Sequence, residues 1–194
     1  NSYKDQMFEK ILKSPILKNS ESRYSDLPFY ILKYYYEKKF NKDLSLIVQD
    51  QVINPLSLKN TSYFPLKNKN KAKIVPSEID HYYRNSELKG YVHDMGAAMQ
   101  GGDGGHAGLF SNAFDIAVVM LMYLQGGIYD NKKILSKRNI DSFNYCYFCN
   151  EGNRRGVGFD KPQINSLDSG PTFGGASNQS FGHLGFTGTY TWAD

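Results

Sequence analysis

Four stretches of the 194-residue chain hold side chains at spacings that chemistry uses. Ser86-Glu87-Leu88-Lys89 has the Ser-x-x-Lys interval that places a hydroxyl nucleophile and a lysine base on one helical face. "GYVHD" follows at once and no apolar helix surrounds it, so it reads as an exposed coincidence. Cys146-Tyr147-Phe148-Cys149 has the C-x-x-C spacing of redox and zinc sites, but a structural zinc needs four ligands and neither a second pair nor a nearby histidine exists. The expectation there is two buried or incidental thiols and no metal. His93 and Asp94 are adjacent and His106 lies in a glycine-rich loop, without the i, i+4 interval of a metal-binding pair. Hydrogen bonds that anchor loops are the expected use. Gly102-x-Gly104-x-x-Ala107 loosely matches a dinucleotide fingerprint, but no strand precedes it and Asp103 would repel phosphate, so no nucleotide cofactor is expected.

The elements that would carry such groups are legible in part. Tyr24-Ser25-Asp26 precedes "LPFYILKYYYEKKF", where Ser25 or Asp26 can cap a helix and Pro28 fits its first turn. A second helix follows, with Leu44, Ile47, Val48 and Val52 on a buried face. Ser111 is expected to cap the apolar helix that runs to about Gln125 and stops at Gly126-Gly127. Ser136 caps a shorter one, Arg154 to Asp160 reads as a strand, and "FGHLGF" and "TYTWAD" read as two strands joined by a tight Thr-Gly turn.

Composition is that of a globular domain, 40% hydrophobic and 22% charged, with 15 Tyr and 12 Phe, more aromatic surface than most cores need. The net charge of +4 is too mild to argue for nucleic acid, and the lysine-rich run Lys67 to Lys73 reads as a solvated loop. The longest apolar run, Ile116 to Leu124, is far short of the roughly 20 residues of a membrane span.

Two tripeptides become informative together. Tyr24-Ser25-Asp26 and His183-Leu184-Gly185 resemble the second and third motifs of the penicillin-recognising serine hydrolases, the class C β-lactamases, D-alanyl-D-alanine carboxypeptidases and related esterases. The likeness extends through "NPLSLKNTSYFP", "IVPSEID", "GYVHD" and "GGHAGLFSNAFD", from about Tyr24 to Trp192. It implies an α+β fold, a partial β-lactamase/transpeptidase-like domain spanning 1–194, with a mostly helical lobe to about 145 and sheet strands and a loop from about 154. The family's Ser-x-x-Lys should precede Tyr24, yet residues 1–23 hold no such spacing; Ser14 has its lysine at Lys18, one position too far. The expectation is therefore a fragment, inert alone, of a longer enzyme that could be fused to another domain.

The resemblance also implies roles. The chemistry would be acyl transfer through an acyl-serine on a peptide, ester or β-lactam carbonyl, with no cofactor. Tyr24 would shuttle the proton and Asp26 would orient the lysine outside this chain. His183 would act over the acyl site, Ser25 and Gly185 would line the substrate, and the N–H of Phe186 would serve the oxyanion hole. Asp26 replaces the usual Asn with an acceptor-only carboxylate. His183 replaces a permanent cation with an imidazole whose free pKa is about 6.5. Both changes argue against attraction for a β-lactam carboxylate, and so for small esters or peptide-like donors. The rival expectation is a noncatalytic module of the same fold that binds cell-wall peptide. By resemblance the location is periplasmic or extracellular in a bacterium.

Overall fold

A computed structural model describes residues 3–16, 23–67, 73–165, 168–172 and 174–194. Lys18 and most of the lysine run lie outside the described residues. The chain divides into two compact units, 1–112 and 113–194, and each is described by itself.

The first unit is built around helix α2 (Leu27–Phe40). Ser25 Oγ accepts the Leu27 N–H at 3.2 Å and Pro28 occupies the first turn. The helix ends where Asn41 turns left-handed, a conformation asparagine tolerates better than most residues. Helix α1 (Tyr3–Leu12) packs on it through a stack of Phe8 on Tyr34, with ring centroids 3.6 Å apart. The one buried side chain of α2 is Lys33, whereas Leu32, Tyr35 and Phe40 are exposed.

Helix α3 (Leu44–Val48) buries Leu44 and Ile47 as expected, but Val52 is exposed and Ile53 is buried in its place. The cause is a π-helical turn over Gln49–Ile53, closed by Asn54 N–H donating to Gln49 O at 3.0 Å. An i→i+5 turn inserts one residue and carries the apolar face along by one position. Beyond it come the hairpin β1 (Glu78–Asp80) and β2 (Ser86–Leu88), and then helix α4 (Met95–Met99). Ser86 therefore sits on a strand, where a residue three further on does not share its face.

In the second unit, helix α5 (Ala113–Leu124) starts two residues after Ser111. Ser111 does not cap it; its hydroxyl pairs with Thr61 Oγ1 at 2.8 Å. The predicted stop is present: Gly127, at φ +92, donates its N–H to Met122 O. After the short pair β3 (Ile128–Tyr129) and β4 (Lys132–Lys133), helix α6 (Lys137–Asn144) is capped by Ser136, which accepts the Asn139 N–H. Cys146 and Cys149 form a disulfide, which corrects the expectation of two incidental thiols.

The expected strand over Arg154 to Asp160 is mostly absent. Gly156 N–H bonds Phe159 O and Val157 N–H bonds Phe143 O, so the backbone is folded on itself and on α6. Only Asp160 bridges, exchanging both hydrogen bonds with Gly182. The final hairpin, β5 (Phe181–Leu184) and β6 (Tyr190–Ala193), is as read, with His183 opposite Thr191. Phe181, Ala193 and Met120 form its core, with Ile116, Tyr123 and Phe159 packed against them. Helices with small antiparallel sheets make the chain α+β.

Candidate active site

The sequence points to two clusters, one in each unit. In the first, Tyr24 is 71% exposed just ahead of α2, and Ser25 is spent on capping that helix. Asp26 takes the N-cap position without a side-chain cap bond. Its carboxylate lies with Asp94 and His106, one ligand atom of each being within 4.8 Å of the others. Among the described residues this is the set that could hold a cation. Asp94 Oδ1, however, already accepts the Ala97 N–H at 2.6 Å and pairs with His106 Nε2 at 2.7 Å. Burial pushes the Asp94 carboxyl up, but the Ala97 N–H and His106 outweigh it and hold the group below the usual carboxylate range. Asp94 is thus a helix cap tied to the glycine loop. His93 likewise pairs with Glu78, at 2.9 Å. Both histidines anchor loops, as their spacing suggested.

Sequence reasoning missed Tyr30. Its ring lies 4.6 Å from that of His106, and burial, then Asp94 and Asp26, push its phenol up to about 12. It therefore stays a hydrogen-bond donor beside two carboxylates. Gly96 makes the room: a Cβ there would stand 2.0 Å from Tyr30 Oη. The available signal was the i, i+4 relation of Tyr30 to Asp26.

What fixes α2 against the glycine loop is also polar. Lys33 Nζ, fully buried, donates to Asp103 O and to Asp103 Oδ1, and lies 3.3 Å from Glu37 Oε1. Asp103 Oδ2 accepts the Ser45 N–H at 3.0 Å. Gly105 lets the loop press on the helix, since a Cβ there would meet Phe29 O at 2.3 Å. Helix α2, which follows directly on Tyr24, is thereby tied to the loop, to α3 and, through Lys4 and Glu37, to α1.

In the second unit, His183 is half-buried on β5. Its Nδ1 lies 2.7 Å from Leu184 O and its Nε2 3.3 Å from an Arg155 guanidinium nitrogen. The space a side chain would need at Gly185 is filled by Thr189 Oγ1, 2.0 Å from the Cβ position, which seats the turn after β5. Phe186 is 92% exposed at its tip.

Known proteins share the sequence pattern and the fold of this chain. A family described as β-lactamase matches residues 1–194. A protein of Escherichia coli (strain K12), provisionally named D-alanyl-D-alanine carboxypeptidase, is 34% identical over 98% of this chain and 46% of its own length. A relative of the same provisional name in Salmonella gallinarum is 35% identical over 98% of this chain and 47% of its own. The chain spans about half the length of the curated relatives it matches. Among solved structures, a penicillin-binding protein homolog from Caulobacter crescentus superposes with a TM-score of 0.64 at 15% identity, covering 99% of this chain and 56% of that one. A provisionally named β-lactamase from Bacteroides dorei gives 0.62 at 15%, covering 97% and 51%. The likeness to these structures concerns the fold alone. The family match runs the length of the chain and the relatives bear it out: the chain belongs to the β-lactamase family, the serine β-lactamase and penicillin-binding-protein-like hydrolases.

Proposed function

We propose that the protein carrying this chain is an acyl-transferring serine hydrolase of the carboxypeptidase type, working through an acyl-serine on a peptide carbonyl. The observation that carries this reading is the exposed Tyr24 phenol at the head of α2, a helix held by the buried Lys33–Asp103 pair. A proton shuttle must be both accessible to the reacting group and fixed to within fractions of an ångström. Tyr24 passes the proton of the attacking serine towards the leaving group, and Asp26 orients the basic partner of that tyrosine. His183 lies over the acyl group, and Gly185 and the Phe186 N–H shape the strand edge where the carbonyl oxygen gains charge. In this reading one domain carries a mostly helical lobe to about 145 and sheet strands with a loop from about 154, bounds distinct from the two compact units 1–112 and 113–194.

The provisional name of the E. coli and Salmonella relatives favours a peptide ending in D-alanyl-D-alanine over a β-lactam as donor. The Cys146–Cys149 disulfide supports an oxidising compartment such as the periplasm or cell exterior. The test is release of D-alanine from an N-acylated D-alanyl-D-alanine peptide by the whole protein. Turnover supports the reading; binding of the peptide without turnover replaces it with a cell-wall-peptide binding module.

A further inference from the structure

The Cys146–Cys149 disulfide takes no part in the reaction proposed above. Its cysteines are three positions apart, so the ring it closes holds only residues 146 to 149. The shorter the loop a disulfide closes, the less chain entropy it removes. This bond therefore contributes less to the fold than a bridge between distant segments would. The loop also has backbone bonds of its own. Phe148 O accepts the N–H groups of Glu151 and Asn153, at 3.0 and 3.1 Å, and Cys149 O accepts that of Gly152 at 3.1 Å. Both cysteines are half-buried, and Tyr145, Tyr147 and Phe148 beside them are exposed, so the loop can be reached from solvent.

The surroundings of Cys146 suit its reduced form. Its Sγ lies 3.3 Å from Asn153 O. A disulfide sulfur has no proton to give that carbonyl, whereas a thiol does. A contact made only by the dithiol favours reduction, since stabilising the reduced form makes such a pair more oxidising.

We propose that Cys146–Cys149 is a thiol–disulfide exchange site for a partner dithiol, and that its redox state is felt at His183. A thiolate of the dithiol attacks Cys149 Sγ, and the S–S bond breaks with Cys146 as the leaving group. The partner's second thiol then attacks the mixed disulfide and releases Cys149. Two electrons pass to the protein, the partner leaves as a cyclic disulfide, and its two thiol protons end on Cys146 and Cys149. The Cys146 thiol then donates to Asn153 O. From there the route to β5 is short: Asn153 Oδ1 accepts the Arg155 N–H at 3.1 Å, and an Arg155 guanidinium nitrogen lies 3.3 Å from His183 Nε2. In an oxidising compartment the bond stands until such a dithiol reaches it. The exchange is independent of the acyl-transfer reading, because neither step involves an acyl donor.

The test treats the whole protein with dithiothreitol, followed by alkylation, intact mass and peptide mapping. The native bond should be reduced within about tenfold of the rate in the urea-unfolded chain, since access and not unfolding limits the exchange. Cys146 and Cys149 should both take the label while the far-UV circular dichroism keeps its shape. With oxidised glutathione, Cys146→Ser should hold a mixed disulfide on Cys149, and Cys149→Ser several-fold less on Cys146. A bond that resists dithiothreitol until the protein unfolds, or equal capture by the two variants, overturns the exchange site.

Nitrogen-15 NMR reads the link to the strand without turnover. The His183 ring nitrogens should shift between the oxidised and reduced protein. Asn153→Ala should abolish that difference, and Asn153→Asp, which keeps the acceptor oxygen, should retain it. His183 signals that coincide in the two forms, or a difference that survives in Asn153→Ala, refute the link.

Discussion

Replacing Lys33 with Met should be among the most damaging single changes in the first unit. The ammonium is fully buried and its partner Asp103 is 5% exposed, so Lys33→Met leaves a carboxylate away from water with its cation gone and the Ser45 N–H still donating to it. Removing one partner of a buried pair costs about 3–5 kcal/mol. In a chain of this size each kcal/mol lowers the melting temperature by about 2–4 °C, so a fall of roughly 6–20 °C is expected by circular dichroism. The second variant separates charge from shape. Adding Asp103→Asn removes the stranded charge while keeping an oxygen for Ser45, and should recover about half of the loss or more. A fall under about 2 °C in the single variant, or a double variant no more stable than the single, would refute the view that this pair ties the glycine loop to α2.

Two further outcomes concern the same unit. Gly96→Ala places a methyl 2.0 Å from Tyr30 Oη and should destabilise by about 1–3 kcal/mol, recovered when Tyr30→Phe removes the hydroxyl; denaturant melts of the single and double variants check this. Asp80 accepts the N–H groups of Tyr82, Tyr83 and Arg84 and the Arg84 side chain, which hold its carboxyl well below the usual range. A depressed folded value means stability that is present above the unfolded pKa, about 3.9, and lost as pH falls through the folded one. Urea midpoints should therefore fall below about pH 4, and Asp80→Asn should flatten that slope.

The elements that follow local rules were readable directly. Ser136, Pro28 and Gly126-Gly127 act on backbone groups within a few residues, so their sequence neighbourhood contains the physics. The failures came from partners distant in sequence. Ser111 turned from helix capping to Thr61, fifty residues away, and Asp160 found Gly182 while the residues before it folded onto Phe143. The π-helical turn at Gln49–Ile53 is likewise invisible to a periodicity of 3.6. Tyr24 and His183 stand out in the sequence through the ordered tripeptides that contain them, and their place in the proposed site rests on that resemblance. Lys33, buried against its amphipathic expectation, and Arg155, one of two adjacent arginines, acquire meaning only from Asp103 and His183, which lie far along the chain.

In the function proposed above, Tyr24 moves the proton in formation of an acyl-serine. The most direct measurement is the rate at which the whole protein forms a covalent adduct with a fluorophosphonate or a chromogenic ester, followed by intact mass and mapped by peptide. One adduct is expected, on a serine other than Ser86, forming about 10²-fold or more slowly in Tyr24→Phe with a near-normal melting temperature. An adduct on Ser86, or equal rates in the two proteins, would contradict it.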